Sequence, residues 1–143
     1  SFETSDYLII DQLTYKFKDP VRGDVIVFRY PNDPSKFFIK RIIGLPGDTV
    51  MVKDEKVYIT PQNTIYTTLL DEPYIQGLRP TDMKILVPYG SYFVLGDNRE
   101  VSSDSRVWGL LDDSLIKGRA FLRLFPLDQI DLFPGNYSDY KMN

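Results

Sequence analysis

The sequence predicts an all-β fold: an irregular coiled β-sheet or barrel with a small β insertion and little helix. Three observations predict it. Apolar stretches recur along the 143 residues but stay short, and Gly, Pro or Asp interrupts them. They are rich in β-branched and aromatic residues, which pack well on a pleated surface. The chain also carries ten Tyr, nine Phe and one Trp, an aromatic share of 14% that favours broad sheet faces over helical bundles.

Taken in order, the first strand is expected at Tyr7-Leu8-Ile9-Ile10. Arg22-Gly23-Asp24 reads as a turn feeding the apolar strand Val25-Ile26-Val27-Phe28. Phe37-Phe38-Ile39 continues into Lys40-Arg41-Ile42-Ile43-Gly44. Val50 to Lys53 and Lys56 to Ile59 flank Asp54-Glu55, the signature of a tight hairpin. From about Thr60 to Pro88 the pattern weakens, and Pro61, Asn63, Pro73, Gly77 and Pro80 point to an extended loop or small insertion. Ser91 to Leu95 and Ala120 to Phe125 are the last strands expected. Helix is expected only as a short turn near residues 112–116, capped by Asp112 or Asp113 and ended by Gly118. The residues after Phe133 read as a frayed end.

Composition narrows the chemistry. The formal net charge of −3 argues against wrapping nucleic acid, which needs a basic field. There is no cysteine, hence no disulfide and no thiol metal site, and no histidine, hence no Ser-His-Asp or Cys-His mechanism. A base working near neutral pH is then a carboxylate or a lysine with a lowered pKa. No metal or cofactor is expected. No apolar run reaches the roughly 18 residues that a membrane-spanning helix needs. The chain opens at Ser1-Phe2-Glu3 without a methionine and reads as a fragment.

Two segments concentrate reactive side chains. In the first, Lys40-Arg41 interrupts an apolar strand. Turned inward, a lysine loses its hydration, its ammonium form becomes unfavourable, and the neutral amine can accept a proton from a serine hydroxyl. Neighbouring strand residues face opposite ways, so one of the pair is expected inside and the other in solvent; alternation alone leaves open which. The second segment, Gly96 to Gly109, packs charges, hydroxyls and Trp108 into one loop. An Asp and an Arg two positions apart there can make a charge-assisted pair that stiffens it. Taken alone, the segment also reads as an ordinary polar loop.

Together and in order, three segments resemble the bacterial type I signal peptidases: Arg-Gly-Asp-Val-Ile-Val-Phe (22–28), Lys-Arg-Ile-Ile-Gly-Leu-Pro-Gly-Asp (40–48) and Gly-Asp-Asn-Arg-x-x-Ser-x-Asp-Ser-Arg-x-Trp-Gly (96–109). The last, at fixed spacing, is the most specific. The resemblance spans roughly Ser1 to Phe125 and implies a Ser-Lys dyad endopeptidase that removes signal peptides from secretory preproteins. It implies Lys40 as general base, Ser102 as the hydroxyl that orients it, and Asp104 with Arg106 as a supporting salt bridge. Phe2, Phe38 and Ile39 match positions lining the pocket for small substrate side chains. The nucleophile's motif, Ser-Met-x-Pro, does not occur. Ser1 and Ser5 match the end of that pattern and not its reactive position, so the serine is expected four residues before Ser1 and this chain alone is expected to be inactive.

The resemblance further implies signal peptides and the outer surface of the cytoplasmic membrane as partners. It implies a bacterial membrane location through an N-terminal anchor helix outside this sequence, with this domain on the extracytoplasmic side. The catalytic β core is expected at 1–50 and 89–133, a small second subdomain at 51–88 and a flexible tail at 134–143. Two other readings are a catalytically inactive, peptide-binding or assembly relative, and a self-cleaving repressor domain with the same serine-lysine chemistry.

Overall fold

The computed structural model describes residues 8–12, 14–71, 82–123 and 131–132. The expectations for Phe2, Ser1, Ser5 and the tail at 134–143 lie outside these residues. In chain order the described elements are β1 (Leu8–Asp11), α1 (Thr14–Phe17), β2 (Val25–Tyr30), β3 (Asp33–Gly44), β4 (Thr49–Lys53), β5 (Lys56–Thr60), β6 (Thr68–Leu69), β7 (Met83–Leu86), β8 (Ser91–Leu95), α2 (Ser105–Trp108), β9 (Leu111–Asp112), a 3-10 turn (Asp113–Leu115), β10 (Ile116–Arg123) and β11 (Asp131–Leu132).

The strands form two antiparallel sheets. The larger runs β1-β10-β2-β3-β8-β9, with β11 also pairing with β10; the smaller runs β6-β5-β4-β7. The end strands of each order do not pair, so the sheets stay open and no barrel closes. The coiled-sheet form of the expected all-β fold is the one found.

β2 lies inside the larger sheet, which is why Val25, Ile26, Val27 and Phe28 are all buried and its sequence is apolar without alternation. β3 is the longest strand. It pairs with β2 through Asp33–Arg41 and with β8 only at its far end, where Arg41 faces Leu95 and Ile42 faces Val94. Among the described residues, the edge of β3 turned away from β2 therefore carries no partner strand before Arg41. The smaller sheet packs Val50, Val52, Val57, Ile59, Leu70 and Val87 against Ile43, Phe93 and Leu95, so one apolar core joins both sheets. A second core gathers Ile26, Phe28, Ile42, Tyr92, Val94 and Leu111.

Turn chemistry accounts for the corners. Asp54 and Glu55 both take positive φ, the backbone that a two-residue hairpin with right-handed strand twist needs. Pro46 and Gly47 (φ 91°) occupy the centre of a turn closed by the Asp48 amide on the Leu45 carbonyl, the usual places for Pro and Gly in a type II turn. Arg22-Gly23 is closed the same way, by the Asp24 amide on the Val21 carbonyl.

The structure departs from the sequence reading in three places. Met83–Leu86 is a strand paired with β4, although its Lys84 breaks the apolar run. Two further helical turns exist, α1 and α2; α2 is capped by Asp104, whose carboxylate accepts the Arg106 amide. The 3-10 turn is capped by Asp112 as expected but ends at Ile116. Gly118 instead sits at the bulge where β10 pairs with β2.

Candidate active site

β3, β8 and the loop after β8 meet around a cavity of about 300 Å³ lined by residues that include Ile39, Lys40, Arg41, Gly96, Asp97 and Ser102. Lys40 reaches it from the central strand, opposite Ile26 on β2. Its amine lies 5.5 Å from the centre of the Phe38 ring. Burial pushes the Lys40 pKa below the ordinary lysine value; Asp104 and then Asp97 pull it back up, and the Arg106 cation pushes it down again.

Ser102 is buried, its amide donating to the Asn98 carbonyl at 3.0 Å. Gly96 brings it to Lys40: a Cβ added at Gly96 would stand 2.5 Å from the Ser102 Cβ and 3.4 Å from the Lys40 Nζ. Glycine is needed here for space, since its φ is not positive. The Gly96 amide donates to Asp104 (3.1 Å) and its carbonyl accepts from the Arg99 guanidinium (2.9 Å).

Asp104 is fully buried and gripped by Arg106 at 2.9 and 2.8 Å, while Arg106 also donates to the Arg99 carbonyl at 2.9 Å. Burial pushes the Asp104 carboxyl up, but the hydrogen bonds from Arg106 and the Gly96 amide, the Arg106 charge and the Ser102 hydroxyl hold it below the usual carboxylate value. A second two-pronged pair joins the strands: Arg41 donates to both oxygens of Asp97 at 3.0 and 2.7 Å, and to the Gly23 carbonyl at 3.1 Å.

The structure thus gathers Lys40, Ser102, Asp104, Arg106 and Ile39 around one site. Phe38 is not among the cavity's lining residues; its ring stacks on Tyr30 at 4.4 Å and meets Phe28 edge-on at 6.2 Å. One sequence expectation is corrected. Arg41 is not the solvent-facing partner of an inward Lys40: it is 1% exposed, because both faces of β3 are covered at this point. Sequence reasoning also missed Asp97 and Gly96. Their position directly after the apolar run of β8 was the available signal, since strand ends and the loops they carry commonly hold reactive groups.

The family model described as signal peptidase, peptidase S26, matches residues 1–125. The probable signal peptidase I-2 of Synechocystis is 40% identical over 139 residues, covering 92% of this chain and 61% of that protein. The signal peptidase I of Leptolyngbya laminosa is 40% identical over 141 residues, covering 91% of this chain and 65% of that protein. The chain therefore spans less than two thirds of the length of these curated relatives. A crystal structure of a signal peptidase I from Enterococcus faecalis superposes with a TM-score of 0.59 at 33% identity, covering 71% of this chain and 97% of that one. By sequence and by fold, the chain belongs to the S26 family of signal peptidases.

Proposed function

We propose that this chain supplies the base and supporting half of a membrane-associated serine endopeptidase that removes signal peptides from secreted preproteins. The observation that carries the reading is the Lys40 amine: half-buried on a central strand, lowered in proton affinity by that burial, and beside the buried Ser102 across Gly96. A neutral amine so placed can do at neutral pH what histidine does in other serine proteases.

In the reaction, a serine oxygen attacks the scissile carbonyl carbon and its proton passes to the Lys40 Nζ. As the carbon–nitrogen bond breaks, Lys40 returns that proton to the leaving amine. Water, deprotonated by the same amine, then frees the acyl-enzyme. The serine would lie four residues ahead of Ser1, as the resemblance implies, so the chain alone should not cleave. Ser102 orients the amine, and the Asp104–Arg106 pair holds the loop carrying Ser102. An extended substrate can add to the open edge of β3 by main-chain hydrogen bonds, with Ile39 on the pocket wall. Phe38 would act from beneath the amine, and Phe2 would complete the pocket. The domain would work at the outer face of the bacterial cytoplasmic membrane, anchored by a preceding helix.

The test restores the upstream residues and follows cleavage of an Ala-x-Ala peptide. Lys40→Ala should lower kcat by about 10²–10⁴-fold while substrate binding persists. Cleavage that survives Lys40→Ala unchanged would rule the mechanism out.

A further inference from the structure

Lys40 faces an electrostatic hazard that the general-base reading does not itself address. Two carboxylates lie near enough to favour its protonated form, Asp104 and Asp97. A buried carboxylate without a partner beside a lysine amine settles into an ammonium–carboxylate pair, and a lysine so paired is a poor base. Each of these carboxylates is already held by an arginine in two-pronged geometry. Arg106 holds Asp104 from within the same loop, two residues away. Asp97 is held across the fold by Arg41, the immediate neighbour of Lys40 on β3, with side chains 8% and 0% exposed.

The charged groups around the amine are few. β3 contributes Arg41 beside it; the loop after β8 and the start of α2 contribute Asp97, Arg99, Asp104 and Arg106; β2 presents the uncharged Ile26 at the paired register. Arg99 is buried and donates to the Gly96 carbonyl. Arg41 is thus the group in two-pronged contact with the Asp97 carboxylate, and it is anchored from behind by the Gly23 carbonyl.

We infer that Arg41 is a positioning residue for the proteolytic site: it holds Asp97 in a bidentate pair, so that Asp97 does not capture the Lys40 amine. This rests on the general-base reading of Lys40 and adds a requirement to it. The Lys-Arg dipeptide then has two divided tasks. Lys40 is the base, and Arg41 keeps a competing anion off it. A lysine at position 41 would serve poorly, because a single ammonium cannot grip both oxygens of Asp97 in a planar fork.

The test reads Lys40 directly, in this chain, by pH titration of its side-chain signals after carbon-13 lysine labelling, with Lys40→Met for assignment. Arg41→Gln should raise the Lys40 midpoint by about one pH unit, since an uncompensated carboxylate nearby favours the ammonium. Arg41→Gln combined with Asp97→Asn should bring the midpoint back to the wild-type value, a rescue that a purely structural role of Arg41 would not produce. Asp97→Asn alone leaves the Arg41 cation uncompensated and should lower the midpoint; it is the deciding variant if Arg41→Gln does not fold. A Lys40 midpoint unmoved in folded Arg41→Gln, or unmoved in Asp97→Asn, overturns the inference. A wild-type Lys40 that titrates like a lysine in water fails differently: it removes the general-base reading itself.

Discussion

Gly96→Ala is the substitution whose effect can be worked most directly from the geometry. The added methyl would stand 2.5 Å from the Ser102 Cβ and inside contact distance of its Oγ. Neither side can easily give way. Gly96 is pinned through its amide to Asp104 and through its carbonyl to Arg99, and Ser102 is 6% exposed. Forcing a methyl into a packed interior costs about 1–3 kcal/mol. For a chain of this length that lowers Tm by roughly 2–12 °C. Displacing Ser102 by about 1 Å from the amine it orients should lower kcat about 10²-fold in the extended enzyme. Calorimetry of three variants isolates the cause. Gly96→Ala with Ser102→Gly removes both clashing atoms and should recover most of the lost Tm without recovering activity. Gly96→Ala with Ser102→Ala keeps the clashing Cβ and should recover much less. If Gly96→Ala melts with the wild type and leaves the Lys40 titration unchanged, the packing argument for this site is wrong.

The remaining predictions follow from burial and charge. Lys40 has a lowered pKa in the folded chain, so between that value and the ordinary lysine value the unfolded chain binds more protons and stability rises with pH. Lys40→Met should therefore raise Tm at neutral pH, and the gain should shrink as the pH approaches that of an ordinary lysine; a gain independent of pH would contradict the desolvation argument. Asp104 is held below its ordinary value, so its contribution is complete above that value and disappears as pH falls through the folded one. Asp104→Ala strands a buried guanidinium and should cost about 3–5 kcal/mol in urea unfolding at neutral pH. Phe28→Ala, at a fully buried position meeting Phe38 and Trp108, should cost about 3–5 kcal/mol by the same assay. Tyr15→Phe removes a 2.6 Å hydrogen bond to buried Asp24 and should cost about 1–3 kcal/mol, read as a lower Tm.

Where local chemistry decides the structure, the sequence was readable. Asp54-Glu55 announces its hairpin because few other residue pairs accept positive φ at both positions. The central strand Val25–Tyr30 announces itself by being apolar without a break. What escaped was decided by tertiary cover. Met83–Leu86 alternates half-buried and exposed residues, so it looks like loop until β4 supplies its ladder. Ser105–Trp108 is a single turn whose serine and arginine suit a loop equally well, and it forms because Asp104 caps it. Arg41 was the instructive miss. Alternation assigns each residue to a face but does not say whether that face is covered, and the loop carrying Asp97 covers the second one. Lys40, Ser102, Asp104 and Arg106 were legible only through the fixed spacing of whole segments. A lysine in a strand carries no signal of its own about the depth at which it lies.

The placement of the site explains why two open sheets suffice without a closed barrel. A lysine base needs a strand that cannot move toward solvent, because a small outward shift would rehydrate the ammonium and restore its ordinary proton affinity. β3 is held on one edge by β2 along most of its length and on the other by β8 just past Lys40. β8 is in turn fixed from both sides: Phe93 and Leu95 enter the core shared with the smaller sheet, and Tyr92 and Val94 enter the second core. The smaller sheet contributes no residue to the cavity lining, yet its Val50 and Ile59 pack in the core that fixes β8, whose end leads into Gly96. Loosening that core should therefore reach the Lys40–Ser102 contact through β8, a route that ordinary surface substitutions on the smaller sheet leave intact.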